Sequence, residues 1–319
     1  MMRVVDLAAE PEPTDHTTAG EIVVGIGDPG APGAEYWLDT ATFTLAEAHT
    51  ADRRAITVES VDDAVSALRA RVARWPHAAT VCADVLRGFD PAADALAGVI
   101  TESLAYSTLQ SGPEFARWLA ERGPARAPED TGDPVLVERD GDTVTIRFNR
   151  PGRHNAFSTA ARAALLDGLR VVLADPSVEA LVFTGNGPSF CSGGDLAEFG
   201  TLADPASGHL ARTRHSPALA LDAVTARLGR AARAEIHGRV LGSGLEMAAF
   251  CGWVVCDDTA VLGLPELSLG LLPGAGGTVS ITRRIGRWRT AYLVLSGTDI
   301  DAPTALSWGL VDELSEGRA

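Results

Sequence analysis

HGRVLGSGLEMAAFCGWVVCDDTAVLGLPELSLGLLPGAGG, residues 237–277, is the stretch on which the reading of this chain turns. An apolar run broken by glycine, Val240-Leu241-Gly242-Ser243-Gly244, leads into a short helical pattern from Leu245 to Phe250, with Glu246 in its first turn. A second carboxylate, Glu266, follows Pro265 between Leu264 and Leu267, and glycines return at Gly274, Gly276 and Gly277. Apolar surroundings raise a carboxyl pKa by desolvation, and two neighbouring carboxylates raise each other's further. Such a pair can hold an acid and a base ready at neutral pH. Glycines admit close approach of backbone to a ligand, and the free N–H groups at a helix start suit an anion. The same residues also fit an ordinary turn-and-helix corner carrying two glutamates, so the rest of the chain has to decide between the two.

The 319 residues, 46% hydrophobic, can bury one large core or two modest ones. No apolar run approaches the roughly 18 residues of a membrane span. The N-terminal residues are acidic and proline-bearing, without the apolar segment of a signal peptide, so a cytoplasmic protein with no membrane partner is expected. Cys82, Cys191, Cys251 and Cys256 form no CxxC pair and stand at no zinc-like spacing from histidine, which points to buried free thiols and no metal site. All 27 basic residues are arginine. The absence of lysine excludes Schiff-base chemistry on a side chain and lysine-bound pyridoxal phosphate. The net charge of −15 is uneven: residues 1–132 hold 10 Arg against 21 Asp and Glu, a net of −11, and residues 133–319 hold 17 against 21, a net of −4. This balance disfavours a nucleic-acid partner and leaves the second half as the better home for an anionic ligand.

Along the chain, residues 1–19 read as a disordered acidic lead. Residues 20–122 read as a small α/β module. Its expected strands are Glu21 to Ile26, Ala55 to Val58 and Ala79 to Val85, and its best helix runs from Val61 to Trp75, with Val61, Val65, Leu68 and Val72 on one face. Two further helices, Ala92 to Leu109 and Pro113 to Arg122, carry Leu96, Ile100, Leu104, Phe115 and Trp118 as their apolar residues. The glycines around Gly27 are not a dinucleotide fingerprint, because Pro29 stands where a helix would begin. Residues 123–133, GPARAPEDTGD, read as a linker. Beyond it, two strands flank Asp140-Gly141, Ser158 caps a helix through Leu173, and short strands alternate with helices to the end. That alternation argues for an α/β fold over 134–319.

Five pieces in this second half occur in an order that resembles the enoyl-CoA hydratase/isomerase (crotonase) superfamily. They are Arg150-Pro151 with Asn155-Ala156-Phe157; Phe190 to Leu196, FCSGGDL; His237-Gly238 with Gly242-Ser243-Gly244-Leu245-Glu246; Pro265-Glu266 with Pro273 to Gly277; and Ala305 with Gly309-Leu310-Val311. The resemblance covers residues 134–314. It implies a spiral of ββα units, preceded here by the small α/β module, that binds acyl-CoA and stabilises a thioester enolate with two backbone N–H groups. By position these belong to Gly194 and Ser243, the oxyanion hole; small residues there leave room for the thioester, and donors of this type are worth about 10²–10³ in rate each.

The resemblance further implies catalysis by Glu246 and Glu266. Hydratases of the family carry both glutamates and many isomerases only the second, so hydration of a 2-enoyl-CoA is the first expectation. Glu246 would orient and deprotonate the water, Glu266 would handle the proton at C2, and the amide of Gly274 would help hold the water. Substrate and coenzyme A would be held by Arg153, His154 and Ala156 in one loop, by Ser192, Asp195 and Leu196 in the next, and by Pro265 and Gly274. Asp195 alternatively reads as a helix cap, and the cluster Arg283, Arg284, Arg287 and Arg289 as a surface or subunit contact. Coenzyme A enters as part of the substrate, with no separate cofactor, and the family's trimers and pairs of trimers imply a homo-oligomer.

Two features depart from the family pattern. The chain stops soon after Val311, where family members continue into helices that complete the acyl pocket, and about 130 residues precede the resemblance. Two alternatives therefore stand beside hydration: another crotonase-type enzyme of secondary metabolism (an enoyl-CoA isomerase or a cofactor-free aryl-acetyl-CoA dioxygenase), or a non-catalytic acyl-CoA-binding or scaffold subunit. The apolar faces of the N-terminal helices predict that residues 20–122 pack on the second half as its cover.

Overall fold

A computed structural model describes residues 2–11, 15, 19–125, 132–202 and 204–315. The first sheet is all parallel and in chain order: β1 (Met2–Asp6), β2 (Ile22–Ile26), β3 (Phe43–Ala46) and β4 (Ala55–Thr57). Helix α1 (Ala34–Thr40) crosses from β2 to β3, and α2 (Val61–Arg74), α3 (Pro76–Arg87), α4 (Ala95–Gln110) and α5 (Pro113–Arg122) follow. Two expectations are corrected here. Met2–Asp6, read as part of a disordered lead, is a strand, because Arg3-Val4-Val5 pairs in register with Val23-Val24-Gly25; five residues with three apolar ones among them gain their stability only from a neighbour the local pattern does not show. Ala79 to Val85, read as a strand, lies inside α3. Pro76 starts that helix without losing a hydrogen bond, and Ala78, Ala79, Cys82 and Leu86 bury one helical face. The middle of the expected linker, residues 126–131, lies outside the described residues.

In the second half, β5 (Val135–Asp140) and β6 (Thr143–Phe148) pair antiparallel around Gly141, which takes φ 60°. Then come α6 (Thr159–Ala174), capped by the Ser158 hydroxyl accepting from the Ala161 N–H at 3.1 Å, β7 (Ala180–Gly185), α7 (Pro205–Arg214), α8 (Pro217–Leu228), β8 (Ala232–Ile236), β9 (Arg239–Leu241) and α9 (Ser243–Ala248). β10 (Trp253–Asp257), β11 (Val261–Gly263), α10 (Gly277–Ser296, broken at Gly286), β12 (Ile300–Asp301), α11 (Ala302–Trp308) and β13 (Glu313–Ser315) complete it. One sheet has the order β13-β10-β8-β7-β6-β5 and another β12-β11-β9. Each turn of the spiral places one strand in the large sheet, the next in the small sheet, and closes with a helix: β8-β9-α9, then β10-β11-α10. Bridges Phe157–Gly194 and Cys191–Val240 carry the small sheet back into the earlier turns.

A single buried cluster joins Ile22, Phe43 and Leu68 of the first half to Phe148, Leu262 and Leu293 of the second. Its hinge is α10, buried on nearly every side, which packs against α2, α3, α4 and β3. A helix buried all round has no solvent face, so the N-terminal helices are its second wall. Polar ties hold the seam: Arg71 Nε donates to the Leu295 carbonyl at 3.1 Å, and Arg287 donates to the carbonyls of Asp39 and Ala41.

The orientation of α4 is a surprise. Its Leu96, Ile100 and Leu104 are exposed, while Val99, Glu102, Ser103 and Tyr106 face inward. A polar face can be buried where every group finds a partner. Here Arg212 of α7 donates to Ser103, Ser107 and Gln110, with its guanidinium 4.5 Å from the Tyr106 ring centre. His209 of α7 pairs through Nδ1 with Ser103 Oγ at 3.0 Å.

Candidate active site

The site is built where the loops leaving the small sheet meet α9. The Phe157 N–H donates to the Gly193 carbonyl at 2.8 Å, and the Asp195 N–H donates to the Phe157 carbonyl at 2.9 Å. Phe157 therefore uses the groups on either side of Gly194, and in a parallel bridge the intervening N–H turns to the other edge. On the next turn of the spiral, the Gly242 N–H donates to Gly263 and the Gly242 carbonyl accepts from the Glu246 N–H at 2.9 Å. Ser243 then opens α9, and the first N–H groups of a helix have no partner within it. Among the described residues neither the Gly194 nor the Ser243 N–H has a hydrogen-bond acceptor. The two loops touch: a Cβ added to Gly193 would lie 3.3 Å from the Leu241 carbonyl. Gly194 and Ser243 line one cavity of about 330 Å³, whose volume suits a small acyl group.

Glu246 and Glu266 line the same cavity and are both buried. Glu246 is held in place: Oε2 accepts from the Ala275 N–H at 2.7 Å and the Gly277 N–H at 2.8 Å. Burial pushes its carboxyl up to about 7, against the pull of those amides and that of Gly274. Glu266 sits at the start of a 3₁₀ turn, Glu266–Leu269, and its Oε2 is buried with no partner. Burial, then the neighbouring Glu246 and Glu102 carboxylates, hold it well above the ordinary range. Gly242, at φ 48°, leaves the space that the Glu266 carboxyl fills; a side chain there would meet Oε1. One carboxyl held by backbone amides and another buried without a partner are two different environments of the kind that separates an acid from a base.

A third carboxylate was not singled out in the sequence. Glu102 of α4, 1% exposed, reaches the same turn from the other side: Oε1 accepts from the Gly276 N–H at 2.7 Å, and Oε2 from the Thr278 N–H at 2.9 Å and Thr278 Oγ1 at 2.7 Å. Burial, then Glu246, push its carboxyl up to about 8, against the Thr278 and Gly276 donors. Tyr106, one helical turn on, lies against Gly274, where a Cβ would sit 2.5 Å from the ring. The first half of the chain thus supplies part of the cavity wall, beyond the covering role expected of it. Arg162 of α6 also lines the cavity, half-buried, its guanidinium without a hydrogen bond among the described residues. Its place four residues after a capping serine carried no signal.

Of the residues expected to hold substrate or coenzyme A, Ser192, Asp195, Leu196, Pro265 and Gly274 line the cavity. Arg153, His154 and Ala156 lie outside its lining, in the neighbouring loop. His154 pairs through Nδ1 with Ser189 Oγ at 2.9 Å, the Ala156 carbonyl accepts from Arg150, and Arg153 donates to Asp195 Oδ1 at 2.8 Å. Asp195 caps no regular helix: its fully buried carboxylate is gripped by Arg150 at 3.0 Å and by Arg153. Breaking one side of such a pair leaves a buried charge, so these residues fasten the loop that carries Gly194. The arginines of α10 are also fasteners. Arg283 pairs with Asp222, Arg284 with Asp312, and Arg289 stacks on Trp308. All four cysteines are buried free thiols. Among the described residues no group of three His, Cys, Asp or Glu is arranged to hold a metal ion, and no helix is long and apolar enough to cross a membrane.

A family model for enoyl-CoA hydratase/isomerase matches residues 138–316. The 2,3-dehydroadipyl-CoA hydratase of Escherichia coli (strain K12) is 34% identical over 180 residues, covering 56% of this chain and 68% of that protein. A peroxisomal bifunctional enzyme of Danio rerio is 38% identical over 182 residues, 57% of this chain and 23% of its own. A crystal structure of an enoyl-CoA hydratase/carnithine racemase from Magnetospirillum magneticum superposes with a TM-score of 0.51 at 26% identity, over 58% of this chain and 69% of that one. The family match starts after α4, so Glu102 and Tyr106 lie outside it. With the match spanning more than half of the chain, and with the ββα spiral behind it, the chain belongs to the enoyl-CoA hydratase/isomerase family.

Proposed function

We propose that the protein is a lyase that adds water across the double bond of a 2-enoyl-CoA thioester. The thioester oxygen accepts from the N–H groups of Gly194 and Ser243, which draws electron density from C3. Water attacks C3, its proton passes to a carboxylate, and the enolate takes a proton at C2 from a carboxylic acid, so that one water is added and no redox change occurs. Glu246 fits the first transfer, because backbone amides orient its carboxyl. Glu266 fits the second, because burial and the neighbouring carboxylates favour its protonated form. Coenzyme A enters with the substrate.

The observation that carries the reading is the buried, unpartnered Oε2 of Glu266 in the cavity that also holds Glu246 and two free N–H groups. The same observation keeps isomerisation as the second reading, since one mobile carboxyl suffices to carry a proton between C2 and C4. The test is incubation with short, long and aryl enoyl-CoA esters in ¹⁸O-labelled water, with product mass analysis. A labelled hydroxyacyl-CoA, lost in Glu246→Gln and Glu266→Gln by at least about 10², is the expected result. An unchanged mass with a migrated double bond, sensitive to Glu266 alone, makes the protein an isomerase. A gain of unlabelled oxygen, which marks O₂ as its source, or no turnover of any ester, overturns both.

A further inference from the structure

The turn from Ala275 to Thr278 presents four successive N–H groups, and two buried carboxylates take them alternately. Ala275 and Gly277 donate to Glu246, and Gly276 and Thr278 donate to Glu102. Donors that alternate in this way point to opposite sides of the backbone, so each carboxylate holds one edge of the same turn. The turn also begins α10, whose first N–H groups and positive end favour negative charge. Neither carboxylate can shift without releasing the edge it holds, and slack on the Glu102 side passes directly to the amides that orient Glu246. Glu102 belongs to α4, outside the family match. It also lines the cavity with Glu246 and Glu266.

We propose that the N-terminal half of this chain is a working part of the catalytic centre, with Glu102 a positioning residue that fixes the 275–278 turn, and through it the Glu246 carboxylate, as one member of a three-carboxylate cluster. The inference rests on the hydration reading for its kinetics but not for its geometry. The ionisable groups that face Glu102 are Glu246 of α9, Glu266 of the following turn, Cys82 of α3, Tyr106 on its own helix and Arg212 of α7. Of these only the two glutamates are carboxyls, and the Glu102 charge raises Glu266, so removing it relieves repulsion on Glu266 and moves its titration to lower pH.

Glu114 supplies the control. It is a buried carboxylate of the same N-terminal half, and it too caps a helix, accepting from the N–H groups of His77 at 2.8 Å and Ala78 at 3.0 Å. It does not line the cavity. A purely structural role predicts the same behaviour for Glu102→Gln and Glu114→Gln. The proposal predicts a difference, read on the full chain as melting temperature, kcat and KM against pH, and the infrared carboxylic-acid band titrated without substrate. Glu102→Gln should lower kcat by about 10–10², the scale of a misplaced catalytic group, leave KM within a few-fold, and move the pH profile and the infrared band to lower pH. Glu114→Gln should lose melting temperature alone. Matching profiles for the two variants would overturn the proposal. Should Glu102→Gln fail to fold, Thr278→Val removes only the hydroxyl donor to Glu102 and should shift the profile the same way; a wild-type profile there overturns it equally. Should the wild type hydrate no ester, the hydration reading falls by itself, and the infrared titration decides: a band moved or lost in Glu102→Gln but not in Glu114→Gln upholds the cluster, and no change refutes it.

Discussion

Replacing Gly274 by alanine tests the contact between the two halves of the chain at the site itself. Gly274 is not in the left-handed region, so alanine is acceptable to its backbone. The obstacle is the ring of Tyr106: the new Cβ would lie 2.5 Å from Cδ2 and from Cε2, and 3.2 Å from Cζ. Carbon atoms rest at about 3.5–4.0 Å, so the turn and the ring must separate by roughly 1 Å. The ring has little freedom, because Arg212 lies over it and is itself bonded to three α4 groups. Overpacking of this kind costs about 1–3 kcal/mol. A displacement of about 1 Å in the turn that holds Glu246 should lower kcat by about 10². Melting temperature and steady-state kinetics measure the two effects. Adding Tyr106→Leu should recover stability relative to the sum of the single changes, since residues in contact couple. Wild-type melting and wild-type kcat in Gly274→Ala would refute the placement of α4 against the turn.

Three further outcomes are expected. Gly194→Pro deletes the donor assigned to the thioester oxygen and should lower kcat by about 10²–10³; Gly194→Ala is a usable control only if Phe199 yields, because a Cβ there lies 2.9 Å from its ring, and a fully active proline variant would remove Gly194 from the mechanism. Because Glu246 and Glu102 titrate at about 7 and about 8 rather than 4.5, the fold binds more protons than the unfolded chain across that window. Their contribution to stability is therefore full below 4.5 and declines as pH rises through about 8; thermal melting against pH should show this slope in the wild type and a shallower one in Glu102→Gln, and equal slopes would contradict it. Residues 130–319 expressed alone should aggregate, because α10 loses the helices that cover it, and should be rescued by residues 1–129 in trans; a soluble fragment with the parent's melting temperature would oppose this.

The sequence by itself carried the second half. Its strands and helices follow from local signals: Ser158 ahead of an apolar helix, the glycine turn between β5 and β6, and the motif glycines whose backbone shape only glycine adopts easily. Glu246 and Glu266 stood out by their apolar, glycine-framed surroundings, and the resemblance to the crotonase superfamily made them the candidates for catalysis. What only the tertiary structure decided is which side of α4 faces in. Leu96, Ile100 and Leu104 make the apolar pattern, yet Glu102, Ser103 and Tyr106 are buried, because their partners Arg212, Gly276 and Thr278 stand more than a hundred residues away in the chain. Strand β1 has the same origin, since its partner β2 is what stabilises it. Periodicity reports what one segment would bury by itself. A buried polar group is stabilised by whatever the fold brings to it, and no local pattern records that.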